Sequence, residues 1–154
     1  MWQIVWWIGF TIGAVWLQTL LPGVDFFAAG FILSLQEEKP TVSIWLALAW
    51  LFVQEGSGSL AFGTGILWYG FLAAVFYLGH WFFEAKNFIF MIILGVCLGM
   101  MHFVLTHTMA VLQDWLIVSD RIVVESLLQA TLFPMEWGLV YVLYHHVPRH
   151  EYQI

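Results

Sequence analysis

The chain has 154 residues, of which 62% are hydrophobic and 9% charged, with a mean hydropathy of +0.89. About a quarter of the residues in a soluble domain are charged, because its surface must face water, so most of this surface has to face lipid. The formal charge of −6 disfavours a nucleic-acid partner, the lone Cys97 leaves neither a disulfide nor a thiolate metal site, and no hydrophilic stretch is long enough for a water-exposed catalytic head.

Spanning about 30 Å of hydrocarbon takes about 20 helical residues. The first apolar run, Trp2 to Leu21, meets that length. It has no basic region ahead of it, so a secretory signal is a poor reading. Two shorter runs follow, Phe26 to Leu35 and Val42 to Val53, separated by Gln36-Glu37-Glu38-Lys39-Pro40. Both are short for lipid-facing spans and are expected to tilt, to be partly re-entrant, or to pack against other helices. Gln54-Glu55-Gly56-Ser57-Gly58-Ser59 then punctuates the chain as a turn; with no Gly-Lys-Ser/Thr it is not a phosphate loop. Leu60 to Phe83, Phe88 to Leu112 and Ile122 to Tyr144 complete the set. The expected fold is an all-α integral membrane protein, a bundle of about six transmembrane helices with the second and third short or tilted. Residues 1–154 form a single transmembrane domain.

Orientation follows from the cationic side chains. Six crossings with a cytoplasmic N-terminus put Lys39, Lys86 and Arg149 inside and Arg121 outside. Removing one short segment would place Lys39 or Lys86 on the wrong side, so both termini are expected inside. Trp2, Trp6, Trp7, Trp81, Trp115, Tyr144 and Tyr152 fall near segment ends, as an ordinary interfacial aromatic belt does.

Little in the chain points to chemistry. His80, His102 and His107 lie in or near the fourth and fifth segments, but His80 and His102 fall at different depths, which disfavours a haem held between them. No cofactor and no metal site is expected. His145, His146 and His150 cluster in the tail. Asp25, Glu55, Asp114 and Asp120 fall on the outer side, and Glu37, Glu38 and Glu84 on the inner side. Glu125 sits one turn from Arg121, where an i, i+4 pair satisfies both. Glu136 stands alone near the middle of the last run, an isolated intramembrane acid, and such a residue is a functional candidate by default. Gly9-x-x-x-Gly13 and Gly95-x-x-x-Gly99 each set two glycines on one helix face, where another backbone can approach closely. These four are candidates for helix packing or for binding a partner helix.

The order of these features resembles the rod shape-determining protein MreD family. The resemblance rests on Pro22-Gly23-Val24-Asp25 after the first span, on Glu55-Gly56-Ser57-Gly58-Ser59 with Gly63 at the third-to-fourth junction, and on Leu127-Leu128-Gln129-Ala130-Thr131-Leu132-Phe133-Pro134 in the closing segment. The family's Pro-Asp pair is split here by Gly23-Val24, Glu55 stands where Asp is usual, and the tail has a single Arg. The resemblance implies a non-catalytic scaffold of the bacterial cell-elongation machinery in the inner membrane. Its partners would be lipid, an MreC-like single-span protein and cell-wall (peptidoglycan) synthesis proteins, with Asp25, Glu55, Gly56, Ser57 and Gly58 on the outer turns. MreD proteins are similar in fold to the substrate-binding components of energy-coupling-factor transporters, so such a component is the alternative. A structural subunit of a multisubunit respiratory complex is a further one.

Overall fold

The computed structural model describes residues 2–56, 63–112, 114 and 119–146. Six helices and no strand occur among them: α1 (Trp2–Leu20), α2 (Phe27–Glu37), α3 (Pro40–Gly56), α4 (Thr64–His80), α5 (Phe88–Leu112) and α6 (Ser119–His146). Two of these, α1 and α5, are long and apolar enough to cross a membrane.

The shortest helix is the most enclosed. Every residue from Phe27 to Ser34 is buried, which a helix apolar on all sides requires of its neighbours. Small side chains at Ala28, Ala29 and Gly30 let those neighbours come close, and the Phe10 ring fills the space where a side chain at position 30 would stand. Thus α2 is the central post, with α1, α3, α4 and α6 packed around it. At 11 residues it rises only about 16 Å, and its burial explains how so short an apolar run is accommodated.

The third segment is longer than the sequence suggested. Pro40 takes the first helical position, where its missing N–H costs nothing, and Gln54, Glu55 and Gly56 continue the helix instead of opening the turn. The fourth segment correspondingly begins at Thr64 rather than near residue 60, after Gly63 in the left-handed region at φ 84°. Ser57 and Gly58 lie outside the described residues, as do Trp115, Arg149, His150 and Tyr152.

The longest helices, α5 and α6, make the most extensive contact. A Cβ at Gly95 would lie 2.7 Å from the Ala130 carbonyl oxygen, and one at Gly99 would lie 2.6 Å from the Ser126 carbonyl oxygen. The Pro134 ring, inside α6, lies against Gly95. By contrast α1 is an edge helix, with only Trp7 and Ala14 buried. Aromatic contacts hold it in place: Trp7 meets Trp50 and Tyr144 edge-on or tilted, and Phe10 meets Phe27 and Trp50. Its outward side carries Trp2, Ile12, Trp16 and Leu20, and the outward side of α3 carries Trp45 and Phe52, all exposed.

Candidate functional site

Polar side chains gather in two layers, one at each end of the bundle. The first layer forms around Asp25. Leaving α1, the chain turns at Gly23, whose φ of 94° favours glycine and whose Cα is covered by the Glu125 side chain. That turn carries Asp25 inward between the helices. Its Oδ1 accepts from Gln18 Nε2 of α1 (3.2 Å), the Phe27 N–H of α2 (3.0 Å) and Gln54 Nε2 of α3 (2.7 Å). Its Oδ2 accepts from Trp68 Nε1 of α4 at 2.5 Å, and its backbone N–H donates to Gln129 Oε1 of α6 at 2.6 Å. One residue in a turn is thereby bonded to five helices. Burial pushes the Asp25 carboxyl up to about 6, while the donors from Trp68, Phe27 and Gln54 pull it down. Tyr69 Oη, also buried, extends the layer by donating to Gln54 Oε1 at 3.1 Å.

Glu55 lies in the last turn of α3 and reaches across to the start of α4. Its Oε1 accepts from the Gly63 N–H (2.9 Å) and the Gly65 N–H (3.3 Å). A carboxylate there serves the unpaired donors and the positive end of the helix dipole. Arg121 and Glu125 form the i, i+4 pair at 2.7 Å.

The second layer forms on the polar end of α2, which the sequence suggested to be a charged connector. Gln36 and Glu37 are its last helical residues, and Glu38 follows. Glu38 accepts from Tyr144 Oη (2.7 Å), Gln3 Nε2 (3.3 Å) and Trp7 Nε1 (3.4 Å). Glu37 Oε1 pairs with Lys86 Nζ at 2.7 Å and lies 3.5 Å from His145 Nε2. Gln36 donates to the Ala85 carbonyl and accepts from Trp137 Nε1 at 2.9 Å. Three consecutive polar residues thus join the start of α1, the α4–α5 connection and the end of α6. A polar triplet closing an apolar run was the available signal, but taken as an insert between two short segments it does not show what it joins.

The histidines do not converge. Nδ1 of His102 lies 3.1 Å from Ser126 Oγ, His80 stacks on Phe76 and His107 on Phe103. No group of three or more metal-ligating side chains occurs among the described residues. Through the donors from Gln18, Phe27, Gln54 and Trp68 the carboxylate of Asp25 ties α1, α2, α3 and α4 together.

The two glycine pairs part company. Gly95 and Gly99 lie against the α6 backbone, whereas nothing in the chain comes within 4 Å of a Cβ built on Gly9 or Gly13. Glu136 stands apart from both layers. Neither carboxylate oxygen touches solvent or has a hydrogen-bond partner among the described residues, and Gln129 Nε2 is likewise buried and unpaired. No protein-family model matches the chain, and no curated protein or solved structure matches it.

Proposed function

We propose that this chain is a non-catalytic, multi-pass scaffold of the bacterial inner membrane, acting in cell elongation as the MreD family does. It binds the single transmembrane helix of an MreC-like protein and through it the cell-wall synthesis machinery. The observation that carries this reading is the contrast between its two glycine pairs. One is consumed in joining α5 to α6; the other lies on the open, apolar side of α1, where a small-residue surface lets a second helix approach closely.

Two further observations support it. The Asp25 carboxylate is saturated by donors from its own chain, so it favours a structural role over capture of a small polar substrate. The exposed side chains of α1, α3 and α5 are overwhelmingly apolar, as lipid and partner helices require. With six crossings, Lys39 and Lys86 fall on one side and Arg121 on the other, and both termini face the cytoplasm.

The test is purification at native level in mild detergent, with mass spectrometry of what accompanies the chain. Cell-wall synthases or an MreC-like protein are expected, and Gly9→Leu/Gly13→Leu should release them while the protein remains folded. Recovery of redox subunits, or of an ATPase module, would overturn the reading.

A further inference from the structure

The last turn of α6 holds a histidine between two acceptors. Nδ1 of His145 lies 2.9 Å from the Tyr141 carbonyl oxygen, and Nε2 lies 3.5 Å from Glu37 Oε1. A carbonyl and a carboxylate only accept. Either neutral tautomer therefore turns a lone pair on one of them, and only the imidazolium offers an N–H to both. The surroundings favour that cation. The Tyr141 ring lies 4.2 Å from the imidazole, centroid to centroid, within reach of a cation–π contact. His145 also stands at the C-terminal end of α6, where the helix dipole is negative. The Glu37 side chain is only 10% exposed, so its pull is screened less than that of a surface carboxylate.

Lys86 opposes it. Its Nζ lies 2.7 Å from the same Glu37 oxygen and 5.8 Å from the Tyr141 ring, so two cations compete for one carboxylate. The remaining groups at this end face elsewhere. Tyr144 Oη donates to Glu38, and His146 turns its Nδ1 to the Val142 carbonyl at 3.1 Å. From α1 come Gln3 and Trp7, which do not titrate and donate to Glu38. Histidine is the side chain whose charge ordinarily changes between about pH 5 and pH 8. We propose that this end of the bundle is a proton-sensitive clasp: protonated His145 ties the last turn of α6 to the end of α2, and loss of that proton as the pH rises loosens the turn. Trp137 and Tyr144 hold the preceding turns through Gln36 and Glu38, so the change is confined to the end of the helix. This inference does not depend on the proposed scaffold function.

Histidine-labelled NMR and hydrogen exchange on the full chain in detergent test it. The His145 ring signal is assigned by its absence from His145→Gln, and its titration is followed in each variant. Glu37→Gln should lower the midpoint by about half a pH unit or more, and Lys86→Gln, which removes the rival cation, should raise it by a similar amount. Exchange of the last α6 amides, corrected for the chemical rate, should be about threefold faster at about pH 8 than at about pH 6 in the wild-type protein. In His145→Gln the two rates should be alike. A midpoint that neither variant moves would overturn the proposal, and so would a pH-dependent exchange that survives in His145→Gln. If Glu37→Gln fails to fold, Lys86→Gln, made at a half-exposed side chain, decides together with the exchange contrast.

Discussion

At the scale of single residues, Asp25 is the side chain whose removal should be felt furthest. Its carboxyl is raised to about 6 from an unfolded-chain value of about 3.9, so the folded protein holds this proton more tightly than the unfolded one. The resulting stabilisation is complete below about pH 4 and is lost as the pH rises through about 6. Thermal melting in detergent should therefore show a midpoint that rises between about pH 7 and pH 5, and Asp25→Asn should flatten that rise. Trp68→Phe sharpens the test. It removes the indole donor to Oδ2 and leaves the charged carboxylate less satisfied, at a cost of about 1–3 kcal/mol near pH 7.5. Because that donor favours the ionised form, the deficit should shrink towards pH 5. An equal deficit at both ends would mean that the indole contributes only packing. Gly23→Ala makes a separate point: it forces a left-handed φ on a side chain and drives Cβ into the Glu125 carboxyl group. A loss of about 1–3 kcal/mol is expected, read as a lower melting midpoint.

At the scale of elements, the seam between α5 and α6 and the free side of α1 make opposite predictions for one kind of substitution. Gly99→Ala places a methyl 2.6 Å from a backbone carbonyl and 2.7 Å from the Ala130 Cβ. Neither can retreat without moving α6, so overpacking should cost about 1–3 kcal/mol. Gly13→Ala meets nothing and should gain about 0.5–1 kcal/mol from helix propensity, with any loss confined to partner capture. If both lower the melting midpoint alike, α1 packs against its own chain more closely than its exposure implies. The sequence carried these motifs without distinguishing them, because spacing puts two glycines on one face but does not say which face meets a neighbour. The number and order of the segments were legible, whereas the ends of the third and fourth and the central place of α2 were not. Apolar runs bounded by charge mark helices, but only the bundle shows that the 11-residue run is its centre. The layer around Asp25 was hidden too, since Gln18, Gln54, Trp68 and Gln129 are far apart in the chain and only the packing of the helices brings them to one carboxylate.

At the scale of the whole molecule, the two polar layers define opposite ends and allow the path of the chain to be checked. The start of α1, the end of α2, the α4–α5 connection and the end of α6 meet in the layer around Glu37 and Glu38. The α1–α2 turn, the end of α3, the start of α4 and the outer part of α6 meet around Asp25, Glu55 and Gly23. Successive helices therefore alternate in direction, which the proposed six crossings would require. Among the described residues Lys39 and Lys86 lie at the first end and Arg121 at the second, so the proposed orientation, by the positive-inside rule, expects the first end in the cytoplasm. A Cys97→Ser background carrying a single new cysteine at Lys39 or at Asp114, both exposed, should separate the two ends. In intact spheroplasts a membrane-impermeant maleimide should modify Asp114→Cys, and should reach Lys39→Cys only after the membrane is opened. Modification of both from outside would mean that α2 and α3 do not carry the chain back across. Charge reversal at Lys39 and Lys86 together should then produce a mixed population, because the proposed orientation rests mostly on these two lysines.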